Sequence, residues 1–376
     1  LHPEPARELL APQRASRPSF LSGLLLRGLK VMTVSGSDNR PFIELVRELE
    51  GPPGRLVRCD GDPPFGGPAP SSPVGIEDAR QPVLVLIPGV LVDSVATFSG
   101  LWSKQPAQWQ RLRKAYAGLV YASAHAAIGT DPIDNAIGLV EACAPGTRLH
   151  LLTHGSGGLV AELLVRASAL DAAGATALDE AANARLARLA SHLQASRIRI
   201  ERVVRVAGPL RGQLLMSGKL DGHLATLVWS AEHAGVVLPA LARELLVEAA
   251  RQRIDPATLP GLAASLPGSP LLRWLPAADE PVDSVLRVIA GKRVGGSGDG
   301  WFRSLATDAF FLSDNDLVVP TRSMFGGALR HQPALFFLDE SAQTHHFGYF
   351  GDTRCAEAIV AALLDEAPPQ FRPIGP

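Results

Sequence analysis

Cysteine is scarce in this chain. There are three in 376 residues, Cys59, Cys143 and Cys355, far apart and without a CxxC pair. That excludes a disulfide framework and a structural zinc ribbon, and it suits a reducing compartment, so a cytoplasmic location is expected. Charge of one sign is lacking as well: 36 Lys and Arg face 37 Asp and Glu, a net charge of −1, with no long single-sign run. Bulk charge therefore offers nothing to nucleic acid or to an anionic membrane surface, and no nucleic-acid partner is expected. Long hydrophobic runs are missing too. The cleanest, 83–92, is broken by Pro88-Gly89 and falls well short of the roughly 20 residues that span a bilayer, so no transmembrane segment is expected. The apolar stretch 20–34 carries Arg27 and Lys30 and reads as a buried strand, not a signal peptide. The chain begins at Leu1 rather than at a methionine, which fits a fragment of something longer and makes the lack of a leader weak evidence for location.

What is present is core. Hydrophobic residues make up 46% and charged residues 19%, a composition that excludes a disordered chain. The length suggests about two domains, or one large α/β domain with insertions. Residues 1–19 are rich in Pro, Arg and Ala and read as a tail. Strands are expected at 24–34 and 56–59, a helix at 42–50, and a Pro/Gly/Ser-rich loop at 61–75. From there the pattern becomes regular. Val83-Leu84-Val85-Leu86-Ile87 is a continuous apolar run ended by Pro-Gly, the mark of a buried parallel strand. A helical segment with Trp102 and Trp109 follows, then a strand at 118–122. Asp131-Pro132 is a helix start, with an acceptor at the cap and proline in the first helical position. Strands at 148–152 and 198–206 alternate with helices at 157–169 and 178–195, and alternation of this kind means a parallel sheet with right-handed crossovers. The proline-broken helical stretch 210–280 interrupts it. Strands at 285–290 and 334–338 and a last helix at 352–364 resume it.

The chemistry is expected at the string LHLLTHGSGGLVAELL, 149–164: a buried strand, a tight Gly-rich turn, and at once an amphipathic helix. Such a turn lifts a serine to the top of the sheet and aims a helix N-terminus at it, as in the nucleophile elbow of α/β-hydrolases. That string would read roughly G-H-S-x-G-G, whereas the residues here are Thr153, His154, Gly155, Ser156, Gly157 and Gly158. Gly155 stands at the serine position, and no strict G-x-S-x-G occurs anywhere in the chain. A register shifted by one would make Ser156 the nucleophile, but it would put His154 where a small residue belongs. The register with Gly155 at the nucleophile position is therefore favoured.

Other segments follow in the order of that family. VLVLIPGVLVDSVATF, 83–98, places Pro88-Gly89-Val90 where a His-Gly step normally builds half of an oxyanion hole; the backbone N–H groups of Gly89, Val90 and Ser156 are the candidate donors. Asp316, in SDNDLVVPTRSM, is the candidate triad acid, and His346, in QTHHFGYFGD, the candidate base, with His345 as its near alternative. The order elbow, Asp, His is that of the α/β-hydrolases. Over about residues 80–365 the chain resembles a group of bacterial lipase-like α/β-hydrolases with a T-H-S-R-G-G elbow and a base in an H-x-x-Y-F string, which His346-Phe347-Gly348-Tyr349-Phe350 matches. TDPIDNAIGLVEACAPGTRLHLLTH and RVAGPLRG resemble the same group.

The resemblance implies an α/β-hydrolase fold, a mostly parallel sheet with helices on both faces. Its parts would be an N-terminal tail and appendage (1–80), a first part of the core (81–209), a helical cap or lid (210–280) and the remainder of the core (281–376). It also implies a serine-hydrolase-like domain of esterase or lipase type, impaired or inactive because Gly155 replaces the nucleophile, that retains binding of a small acyl, ester or lipid ligand. One alternative is an active carboxylic-ester hydrolase using Ser156 with His346 and Asp316. Another is a non-catalytic interaction module that binds a protein partner or forms one fused module of a larger bacterial assembly. No cofactor or metal is expected. Asp314 and Asn315 lack the spacing and glycine of a calcium loop, and GGSGDG at 295–300 lacks the Lys-Ser/Thr of a phosphate loop. His125 and His154 are expected to be structural.

Overall fold

Val83–Ile87 is buried at all five positions, as a strand covered on both faces must be. It is the second strand of an eight-stranded sheet. The computed structural model describes residues 40–61, 64, 74–77, 81–90, 93–170, 178–213, 256–277, 280–294, 314–366 and 370–374. Within them the elements run α1 (Arg40–Glu50), β1 (Leu56–Arg58), β2 (Val83–Ile87), α2 (Ser94–Ser103), α3 (Pro106–Ala115), β3 (Val120–Ser123), α4 (Pro132–Glu141), β4 (Arg148–His154), α5 (Gly157–Ser168), α6 (Glu180–Ser196), β5 (Arg199–Val206), short α7 (Pro260–Ala263) and α8 (Pro270–Trp274), β6 (Val285–Arg293), β7 (Leu335–Ser341), α9 (Thr353–Leu363) and β8 (Arg372–Pro373). The strand expected at 24–34, the loop at 295–300 and most of the stretch expected as a cap lie outside the described residues.

The sheet order is β1-β3-β2-β4-β5-β6-β7-β8. The six central strands are parallel, and short antiparallel strands close both edges. Helices α4, α5 and α6 pack together on one face, while α2, α3 and α9 pack together on the other. This is the α/β-hydrolase fold. Four helix starts share one device: Asp93, Asp131, Asp179 and Asp352 each cap a helix with a side-chain oxygen. Each cap satisfies an N–H that would otherwise lack a partner, and it puts negative charge at the positive end of the helix dipole.

Strand order decides where a site can form. From β2 the chain moves to one side to make β3, then crosses back to make β4 on the other side. The C-terminal ends of β2 and β4 therefore flank the point where connections diverge, the place where open α/β sheets leave a crevice. Gly157 lets α5 begin hard against that point: a Cβ there would lie 2.6 Å from the carbonyl oxygens of Ile87 and Pro88.

One buried ionic cluster ties the later chain to this region. Glu162 on α5 and Arg205 on β5 are fully buried and paired at 2.6 Å, and the nearly buried Arg330 adds a second guanidinium at 2.8 Å. Arg205 also donates to the carbonyls of Met324 and Gly326, and the Ala328 N–H donates to Glu162. Burial alone would raise the Glu162 pKa, but the two guanidiniums and that N–H outweigh it and hold it below the usual range. Removing one member leaves uncompensated buried charge, so Glu162→Ala is expected to cost about 3–5 kcal/mol, read as a lowered urea midpoint at unchanged slope.

Candidate active site

Gly155 occupies the tip of the turn between β4 and α5, with φ +51°. Its N–H donates to the Val206 carbonyl at the end of β5 (3.0 Å). This left-handed conformation is one glycine adopts freely and other residues adopt only under strain. A Cβ built at Gly155 would lie against the His346 ring, 3.4 Å from Nε2 and 3.8 Å from Cε1, with Gly89 Cα 3.5 Å away. The ends of β2 and β4 thus meet at two glycines, and the imidazole closes the third side.

Asp316 holds that imidazole. His346 Nδ1 lies 2.9 Å from Asp316 Oδ2. The carboxylate can only accept, so Nδ1 carries the proton and Nε2 presents its lone pair towards Gly155. No hydrogen bond is made by Nε2 among the described residues. Asp316 is fully buried. Its Oδ1 accepts from the Val318 and Val319 N–H groups at 3.0 and 2.7 Å, and Tyr349 donates its hydroxyl to Oδ2 at 2.9 Å. Desolvation pushes the Asp316 pKa up, but His346 and the two N–H groups prevail and hold it below the ordinary carboxylate range. The loop bearing Asp316 is tied to β6, where Thr321 donates to the Gly291 carbonyl at 2.6 Å.

Tyr349 belongs to the string that carries the resemblance, yet the string does not announce its contact with Asp316. The link depends on Gly291, on the neighbouring strand β6: a Cβ there would fall 2.0 Å from the Tyr349 hydroxyl oxygen. Tyr349→Phe keeps the ring and removes one bond to a buried carboxylate. Its expected cost is about 1.5–3 kcal/mol, measured as a fall in unfolding free energy at neutral pH.

The remaining candidates are placed as follows. Gly89 is buried and Val90 half-buried at the end of β2. Among the described residues the N–H groups of Gly89, Val90 and Ser156 make no hydrogen bond. Ser156 is buried at the cap of α5, and its Oγ has no hydrogen-bond partner. His345 is half-buried and packs on Gly348, lining a cavity of about 290 Å³ with Thr97, Lys104 and Asp339. His154 lies under the turn. Its Nε2–H donates to the His346 carbonyl (2.9 Å), and its ring sits 4.4 Å from that of His346. Burial, then the neighbouring imidazole, lowers its pKa to about 3, so it is neutral. His125 donates Nδ1–H to the Pro88 carbonyl at 2.7 Å, and burial lowers its pKa to about 4. Both histidines hold backbone, as the sequence suggested. Among the described residues Asp339, Asp352 and Cys355 bring potential metal-ligand atoms within 4.8 Å of one another. Asp352 is committed to capping α9 and Asp339 to the Thr344 hydroxyl, so this cluster is accounted for by local structure.

A family model matches residues 67–364, most of the chain. The chain belongs to the DUF7379 family, a domain of unknown function. No curated protein sequence matches it. Among solved structures, this DUF7379 chain is similar to the lipase BlEst2 of Bacillus licheniformis in its mature form, at 17% identity and a TM-score of 0.37, covering 81% of this chain and 96% of that one. It is also similar to the Staphylococcus hyicus lipase, at 13% identity and a TM-score of 0.43, covering 77% and 95%. The Legionella pneumophila phospholipase PlaB gives 12% identity and a TM-score of 0.46, covering 76% and 60%. No helix among the described residues of the DUF7379 chain is long and apolar enough to cross a membrane.

Proposed function

We propose that this DUF7379 chain is a serine-hydrolase-like domain of esterase or lipase type in which the covalent route is closed, because Gly155 stands where the nucleophile would be. The ligand site is retained, and its ligand is a small acyl, ester or lipid compound. The observation that carries this reading is the direction of the Cβ built at Gly155, which faces the free nitrogen of an imidazole held from behind by Asp316. Nucleophile, base and orienting acid would then stand in the order that acyl transfer requires. The uncommitted N–H groups of Gly89, Val90 and Ser156 are the candidate donors to an oxyanion. The reading with Ser156 as nucleophile has less support, since its buried hydroxyl has no bond to His346.

A fluorophosphonate probe tests the reading. The parent and Ser156→Ala are expected to remain unlabelled, while Gly155→Ser is labelled at the new serine. Labelling of the parent that Ser156→Ala abolishes would overturn the proposal in favour of a working Ser156 enzyme. A folded Gly155→Ser protein that stays unlabelled would overturn it in favour of an interaction module.

A further inference from the structure

We infer that the same site hydrolyses carboxylic esters without an acyl-enzyme, with a water molecule held by His346 at Gly155 in place of a serine hydroxyl. The inference rests on the proposed function above. It follows from how the position is emptied: not by a bulky residue that would block the imidazole, but by the one residue that adds nothing beyond Cα.

The space is of the right kind. The nearest heavy atoms to a built Cβ at Gly155 are His346 Nε2 at 3.4 Å, Gly89 Cα at 3.5 Å and His346 Cε1 at 3.8 Å. A side chain of Ser size therefore fits without displacing backbone, and so does a water where that side chain would be. The water would find an acceptor at once, because His346 is buried, its Nδ1–H is engaged by Asp316, and its Nε2 lone pair faces Gly155. A general base within one hydrogen bond of a water, beside the bound carbonyl, meets the geometric requirement for base catalysis. The N–H groups of Gly89, Val90 and Ser156 remain as candidate donors to the developing oxyanion.

The step balances without any further reactant. The water oxygen forms a bond to the acyl carbon while one of its protons passes to His346 Nε2, giving a tetrahedral oxyanion and an imidazolium facing Asp316. Collapse of that intermediate breaks the bond to the alkoxy oxygen, and the imidazolium gives its proton to the leaving alkoxide. The products are an alcohol and a carboxylic acid, which ionises in water. No bond to the protein forms at any stage. Aryl esters are the favoured substrates, because a phenolate is a weakly basic leaving group that departs with little help from the imidazolium proton.

The discriminating variant is Gly155→Ala, which has no more nucleophile than the parent but puts a methyl group where the water would sit. Steady-state hydrolysis of p-nitrophenyl acetate by the parent is expected to exceed the buffer rate by about 10³-fold, as general-base catalysis allows. It should show no burst and no acylated protein by mass spectrometry. Gly155→Ala and His346→Gln should each fall at least tenfold below the parent. Thermal unfolding confirms that the alanine variant is folded despite the left-handed backbone at 155, and His346→Gln, which leaves that backbone untouched, supplies the second arm. A parent no faster than both variants overturns the water route, and so does a covalent acyl adduct. The fluorophosphonate result on Gly155→Ser stands apart: labelling there together with a slow parent removes this inference alone, whereas absence of labelling removes the reading beneath it.

Discussion

Ester turnover by a Gly155→Ser variant is expected to exceed that of the parent by three orders of magnitude or more, since loss of the serine from a working triad costs about 10⁶ in kcat. The rest of the proposed machinery needs no repair. His346 Nδ1 is fixed to Asp316 at 2.9 Å, and Asp316 is held by two backbone N–H groups and by Tyr349. The new Cβ would lie 3.4 Å from Nε2, which leaves the hydroxyl within reach of the base. The same change should lower stability, because φ is +51° at this turn and a residue with a side chain is strained there by about 1–3 kcal/mol. Activity and stability therefore move in opposite directions in one variant. Turnover measured beside a urea melt checks both. A variant that melts lower yet gains no turnover would show that the oxyanion donors do not surround the bound carbonyl.

The parts of this arrangement differ in how far the sequence announces them. Strands β2 and β5 were readable because each is a buried run with β-branched residues, β4 as a short leucine-rich run just ahead of a Gly-rich turn, and the start of α4 because Asp131-Pro132 states both the cap and the first helical residue. The turn at Gly155 was readable from the abrupt join of such a strand to an amphipathic helix. The partnership of Asp316 with His346 was suggested by chain order and by the strings around each residue, and the structure puts the two side chains in contact. His345 and His346 could not be separated from the string, because adjacent residues in a loop differ in direction, and direction is set by what the loop packs on. The Glu162–Arg205–Arg330 cluster left no trace at all. Each residue looks like an ordinary surface charge, and only the docking of the 324–330 segment against α5 and β5 removes all three from water. The edge strand β8 was equally silent: two residues, one of them proline, carry no periodicity, and their pairing depends wholly on the exposed side of β7.

Stability should fall steeply as pH drops from 6.5 towards 5, before the carboxylates matter. Burial lowers the pKa of His125 and His150 to about 4 and that of His154 to about 3, whereas in the unfolded chain a histidine titrates near 6.5. Between those values the unfolded chain binds three protons that the folded chain refuses. The unfolded state therefore gains on the folded one as pH falls, by about 1.4 kcal/mol per pH unit for each histidine once the pH is well below 6.5. By pH 5 the three together take away roughly 6 kcal/mol, a large share of the 5–15 kcal/mol that holds an ordinary domain. Glu50, Asp131 and Asp339 work in the opposite sense. Burial raises their pKa, so the folded chain takes up their protons first, and they offset the loss as the pH nears the carboxylate range. Asp316 and Glu162 are held low, and their stabilisation disappears only at still lower pH. Urea melts at half-unit steps from pH 7.5 to 4.5 should show a slope approaching three protons near pH 5. Replacing His150 by Gln, on β4 and clear of the candidate site, should reduce that slope by about one proton. A flat profile across this range would mean that the buried imidazoles are protonated in the folded protein. In that case the hydrogen bonds assigned to His125 and His154, which fix the carbonyls of Pro88 and His346, would no longer determine which ring nitrogen carries the proton.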